Sequence, residues 1–162
     1  FALFGGLLLL SQPVGVWHAV VVVVMIQLRL LCNLMDGLVA VEGGKATRAG
    51  ELFNDFPDRI SDPALLVAFG FAVQLPVWGW CAGLLSLFTA YTRLLAKCSG
   101  APMNYCGPMA KQHRMFLLTI GCVCLPWHMV LAQSCLLLIV FGSVLTVARR
   151  LHQAYRSLHG TR

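Results

Sequence analysis

At 162 residues the chain has the length of one ordinary domain, but 59% of it is hydrophobic and only 11% is charged. With a mean hydropathy of +0.79, it lies outside the range of water-soluble domains. The net charge of +6 rests on no Lys/Arg cluster in a soluble segment, and membrane topology accounts for it, so nucleic-acid binding is set aside.

Run length points to an all-α fold, a polytopic membrane helical bundle of about six transmembrane helices; the alternation of a β-barrel is absent. Residues 1–10 are apolar but shorter than the ~20 residues a spanning helix needs, and are read as the end of a first helix, truncated at its start. A signal peptide competes for this run, without the basic flank such a segment carries. Further spans are expected over residues 14–40, 51–74, 77–97, 114–132 and 134–150. Residues 1–150 then form the transmembrane bundle, with the active site between spans two and three, and residues 151–162 form a basic cytoplasmic tail. Leu151, Ala154, Tyr155 and Leu158 between its basic residues make that tail an interfacial helix over anionic lipid.

The connections divide by charge. Those at 11–17, 75–77 and near 132–133 carry no Lys or Arg, whereas Lys45 and Arg48, then Arg93, Lys97, Lys111 and Arg114, then Arg149, Arg150, Arg156 and Arg162 mark the other ends. By the positive-inside rule the basic ends are cytoplasmic. Trp17, Trp78, Trp80 and Trp127 lie at or near the opposite ends, at headgroup level. Of the seven cysteines, Cys32, Cys81, Cys122, Cys124 and Cys135 fall in apolar stretches as small packing residues; Cys98 and Cys106 bracket a polar loop near His113 with no zinc-ligand spacing.

All six acidic residues, Asp36, Glu42, Glu51, Asp55, Asp58 and Asp62, fall between positions 36 and 62. Carboxylates at membrane depth cost a few kcal/mol each and persist where they pair, line a water-filled cavity or hold an ion. At about 100° per residue, Glu51, Asp55, Asp58 and Asp62 share one helical face within about 60°. Arg29 and Arg59 can serve some of these charges, and a divalent ion such as Mg²⁺, Mn²⁺ or Ca²⁺ is the simplest partner for the rest. On the second span Arg29, Asn33, Asp36 or Gly37, and Ala40 recur at helical spacing and can face the acidic stripe. Gly37, Ala40, Gly43, Gly44 and Gly50 leave room for close backbone approach or for a bulky ligand head, and small-residue helix packing would use them equally well.

The run Asn33-x-x-Asp36-Gly37-x-x-Ala40-Val41, then eight residues, then Gly50-x-x-x-Asn54-x-x-x-Asp58 resembles the CDP-alcohol phosphatidyltransferase signature, D-x-x-D-G-x-x-A-R-x8-G-x-x-x-D-x-x-x-D. Every gap is kept over these 26 residues, and Asp36, Gly37, Ala40, Gly50 and Asp58 match in identity. The resemblance implies a six-helix homodimer of a bacterial inner (cytoplasmic) membrane, with its site facing the cytoplasm. It would move a phosphatidyl group from a CDP-linked lipid such as CDP-diacylglycerol to an alcohol acceptor, releasing CMP in phospholipid biosynthesis. By position, Asn33, Asp36, Asn54 and Asp58 would surround one or two Mg²⁺ or Mn²⁺ ions. Gly37, Ala40 and Gly50, with Asn33, would floor the nucleotide, and Asp58 would be the catalytic base.

The chain departs from the signature at Asn33, Asn54 and Val41. Two neutral amides remove about two negative charges from a two-ion site, and an amide oxygen is a weaker ligand than a carboxylate. Asp55 and Asp62, on the face of Asp58, and Glu51 offer replacements, and Lys45 or Arg48 can stand in for the missing guanidinium. Three outcomes stay open: an enzyme with a rearranged metal shell, an enzyme keeping one ion, and a catalytically degenerate relative that binds lipid or serves as a scaffold. A transporter using the acidic stripe fits less well, because the later helices carry no carboxylates. The loop at 107–114 is either a basic topogenic segment or a set of phosphate ligands; on the second reading Lys111, His113 and Arg114, with Arg93 at the end of the fourth span, contact an anionic acceptor or the donor phosphates.

Overall fold

A computed structural model describes residues 1–11, 15–42, 48–100 and 107–159; the side chains of residues 36–42, 48–54 and 159 lie outside the described set. Among the described residues six helices follow one another, with no strand: α1 Ala2–Leu10, α2 Val16–Glu42, α3 Arg48–Ala72, α4 Pro76–Cys98, α5 Lys111–Cys124 and α6 Met129–His159. The expected all-α bundle is what forms. Stretches of α2 (Val16–Met35) and α6 (Met129–Leu158) are each long and apolar enough on their own to cross a membrane. Helices α3 and α4 run to 25 and 23 residues but carry polar stripes, which the bundle turns inward.

The core is built from the apolar faces of all these helices. Leu9 of α1, Val22 and Ile26 of α2, Leu65, Leu66 and Phe69 of α3, Met115 and Leu118 of α5, and Leu136 and Ile139 of α6 are fully buried in one cluster. Helix α3 packs on α1 and α4, α6 packs on α4 and α5, and α2 packs on α1 and α5. Outward-facing Phe4, Leu7, Val20, Val24, Leu84, Phe88 and Phe116 are exposed. An apolar rim of this extent is unfavourable in water and suited to lipid, which makes the chain a membrane protein.

The α3–α4 connection is tight. Gln74 takes a positive φ of 62°, the Leu75 N–H donates to the Gly70 carbonyl at 2.8 Å, and Pro76 starts α4 where no helical N–H is needed. Just inside the turn the backbones of Gly70 and Gly79 meet so closely that a Cβ on either would fall within 3.0 Å of the other. Gly79→Leu is therefore expected to cost about 1–3 kcal/mol by overpacking, read as a lower melting temperature of the purified protein in detergent. An unchanged melt would mean that the hairpin has slack.

The fifth and sixth helices divide differently from the expectation of a break near 132–133. Helix α5 ends at Cys124, the His128 N–H closes a turn on the Cys124 carbonyl at 2.7 Å, and α6 starts at Met129. Pro126 is the physical reason, for it lacks an N–H and its ring clashes with the carbonyl four residues earlier. Ala132 is fully buried inside α6, and the Gln133 side-chain amide donates to the Val73 carbonyl at the end of α3 at 3.0 Å. Helix α5 is thus a short 14-residue segment. Helix α6 runs unbroken for 31 residues, so residues 151–159 continue the last span without a joint.

Candidate active site

Asp58, the last aspartate of the signature, is the hub. On α2, Arg29 and Asn33 lie one turn apart and both reach its Oδ1: Arg29 Nη2 donates at 2.6 Å and Asn33 Nδ2 at 2.9 Å. Lys111, at the start of α5, pairs with Oδ2. Arg29 also donates to Asp62 one turn further along α3, so one guanidinium bridges two carboxylates. Arg29, Asp58 and Asp62 are all buried, Asp62 to 3% exposure. Burying such charges is tolerable only because each has an opposite charge in direct contact.

Arg114 lies behind this layer. It is buried, donates through Nη1 to the Thr89 hydroxyl at 2.6 Å, and stands 3.9 Å from Asp62. The Thr89 hydroxyl donates in turn to the Ser86 carbonyl at 2.8 Å, and the Thr89 carbonyl accepts from Arg150 of α6 at 2.5 Å. Nearer the surface Asp55 accepts from Arg59 at 2.6 Å and from Arg93 at 3.3 Å. Three carboxylates, Asp55, Asp58 and Asp62, therefore meet five cations, Arg29, Arg59, Arg93, Lys111 and Arg114. Among the described residues the surplus is positive and draws anions.

Two cavities open on this network. A polar cleft of about 490 Å³ is lined by Asp55, Asp58, Arg93, Lys111, His113 and Arg150, among others. A second, mostly apolar groove of about 340 Å³ is lined by Arg29, Asn33 and Asp58 together with Phe1, Leu3 and Ile60, among others. Asp58 belongs to both walls.

Of the expected site residues, the fold gathers Asn33, Asp55, Asp58, Asp62, Arg93, Lys111, His113 and Arg114. His113 is exposed on the cleft rim, and Asp62 lines neither cavity, sitting beneath Asp58. The side chains of Asp36, Gly37, Ala40, Gly50 and Asn54, like those of Val41, Arg48 and Glu51, lie outside the described residues, as do Gly43, Gly44, Lys45 and Cys106. By donor type Asp58 and Asn33 suit a hard divalent cation, since each carries an oxygen such an ion accepts, although here the Asn33 amide N–H is turned to Asp58 Oδ1. Among the described residues no group of three His, Cys, Asp or Glu side chains gathers round one point. Each described carboxylate is met instead by Arg or Lys.

Thr89 and Arg150 were not expected here. Ser86, Thr89 and Arg93 form a polar stripe at helical spacing on an apolar helix, a signal that could have marked Thr89. Nothing local separates Arg150 from Arg149; only the packing of α6 on α4 does.

No family model matches the chain. It is 32% identical over 120 residues to inner membrane protein YnbA of Escherichia coli (strain K12), across 72% of this chain, and spans 58% of that relative's length. Its fold is that of phosphatidylinositol phosphate synthase from Mycobacterium tuberculosis, solved in complex with manganese and citrate. The TM-score is 0.77 at 24% identity, over 96% of this chain and 78% of that one.

Proposed function

We propose that the chain is a CDP-alcohol phosphatidyltransferase of a bacterial inner membrane, acting as a homodimer with its site towards the cytoplasm. It moves a phosphatidyl group from CDP-diacylglycerol to an alcohol acceptor and releases CMP. The observation that carries this reading is the position of Asp58 in the wall shared by a cationic cleft and an apolar groove. A lipid that reacts at its phosphate needs both environments to meet at one point, with the acyl chain in the groove and the charged head in the cleft.

In the reaction the acceptor hydroxyl oxygen attacks the lipid-side phosphorus of the pyrophosphate. The bond from that phosphorus to the CMP oxygen breaks, and the hydroxyl proton passes to the Asp58 carboxylate. Arg29, Asn33 and Lys111 hold that carboxylate in place; Lys111, Arg93, His113 and Arg150 of the cleft meet the phosphates and any anionic group of the acceptor. Gly37, Ala40 and Gly50 are assigned to the nucleotide floor. Asp58 and Asn33, with Asp36 and Asn54 one turn away on their own helices, would hold Mg²⁺ or Mn²⁺, which when bound neutralises charge on the departing CMP. Asp62 and Asp55 support this group through Arg29 and Arg93.

Purified protein given CDP-diacylglycerol and Mg²⁺ or Mn²⁺ is expected to release CMP with one of glycerol phosphate, inositol phosphate, serine or an amino alcohol. No release with any of them would overturn the enzymatic reading. If the acceptor is phosphorylated, Arg93→Gln should raise its KM about tenfold, the scale of one charge-assisted hydrogen bond, and leave the KM of the CDP-lipid nearly unchanged. A second reading, a degenerate relative that binds the CDP-lipid without turning it over, draws on the full occupation of Asp58 by side-chain donors and on the amides at 33 and 54. Saturable CDP-lipid binding with no CMP formed would favour it.

A further inference from the structure

Arg149 and Arg150 are consecutive on α6, about 100° apart round the helix, and they serve different cavities. Arg150 lines the cleft of Asp58, whereas Arg149 lines a separate cavity of about 670 Å³ with Gly107, Ala148, His152, Gln153 and Arg156. Gly107 is the partition, belonging to both walls. It holds a φ of +142° against Thr146, where a Cβ would collide with that side chain, and the Met109 N–H ties the same segment to Thr146 Oγ1 at 3.0 Å.

Among the described residues the charge in this second cavity is uncompensated. Every carboxylate of the chain lies between residues 36 and 62. Among the described residues neither Arg149 nor Arg156 enters an ion pair, and no carboxylate lines the cavity. Residues 149, 152, 153 and 156 follow one face of α6, and Leu138, Phe141 and Leu145 continue that face towards the middle of the helix. All three are exposed, Phe141 to 62%. One helical face thus presents an apolar track ending in two guanidiniums and an imidazole, the pattern of a phospholipid laid along a helix with its phosphate at the basic end.

We propose that this face is a binding site for one anionic glycerophospholipid, its phosphate held by Arg149, His152 and Arg156 and its acyl chain lying along Leu145, Phe141 and Leu138. The site stands apart from the catalytic reading and does not depend on it. It is also narrower than general attraction of a basic tail to an anionic surface, because it is confined to one side of α6.

The test uses the protein reconstituted in vesicles of equal parts phosphatidylcholine and phosphatidylglycerol, re-extracted in mild detergent and weighed by native mass spectrometry. Wild type is expected to retain phosphatidylglycerol in preference to phosphatidylcholine. Arg149→Gln and Arg156→Gln should each lower that retention about fivefold, the scale of one cation at an anionic headgroup. Lys97→Gln removes the same charge from the exposed end of α4 and should leave retention unchanged. Equal retention of the two lipids, or a loss with Lys97→Gln as large as with Arg149→Gln, would overturn the site in favour of diffuse attraction. Release of the lipid by millimolar inorganic phosphate would overturn it in favour of a soluble phosphate ligand. CMP release, measured on the same variants, should match wild type, so a failure here is distinguishable from a failure of the catalytic reading.

Discussion

Asp58→Asn is expected to lower CMP release about a thousandfold while the bundle remains folded, a loss within the range for removing a general base. The amide is nearly isosteric and can still accept hydrogen bonds from Arg29 and Asn33, so the packing of α2 on α3 should survive. What it cannot do is take up a proton from an acceptor hydroxyl or offer a charged oxygen to a cation. Steady-state CMP release, with a thermal melt as the check on folding, measures the effect. Undiminished turnover in a folded variant would remove Asp58 from the base role.

Arg29→Met should be among the most destabilising single changes in the chain. The guanidinium is buried and contacts both Asp58 and Asp62, and its loss leaves Asp62 with Arg114 at 3.9 Å as its remaining ion pair among the described residues. Breaking a buried pair by removing one partner costs about 3–5 kcal/mol, chiefly through the charge left behind. The double variant Arg29→Met with Asp62→Asn should regain part of that loss, since it also removes the orphaned charge. Arg59→Gln is the contrasting case: its partner Asp55 has a side chain 46% exposed, and water screens such pairs to below about 1 kcal/mol. Equal melts for Arg29→Met and Arg59→Gln would refute the buried bridge as a source of stability.

The helical class of the fold was readable from run length alone, because a segment such as 14–40 has only one way to satisfy its backbone in lipid. Boundaries were less legible. The apolar run continues past Cys124 through Val130 and Leu131, and composition does not register that Pro126 interrupts it; the backbone does. At the site, periodicity correctly put Asp58 and Asp62 on one face with Arg29 within reach, as the shared guanidinium bears out. It offered no means of choosing between a metal ion and side-chain cations for those charges. Among the cations that reach Asp55 is Arg93, 38 residues away, and among those that reach Asp58 is Lys111, 53 residues away. Such partners are chosen by how α4 and α5 pack, and that information is spread over the core rather than held near the motif. Arg150 was legible as a topological marker but not as a cleft residue, for the same reason.

The unbroken course of α6 has a mechanical consequence. Its 31 residues extend about 46 Å at 1.5 Å each, some 15 Å more than the hydrocarbon thickness of a typical bilayer. The excess is the basic end from Arg149 onward, while the apolar stretch 129–148 spans about 30 Å and matches the bilayer; a thinner or thicker membrane would be met by a change of tilt. Because the rod has no joint, tilting the apolar part swings the end that carries Arg150 against Thr89. Acyl-chain length in the host membrane is therefore expected to alter the Arg150–Thr89 contact beside the cleft of Asp58, with α6 as the arm.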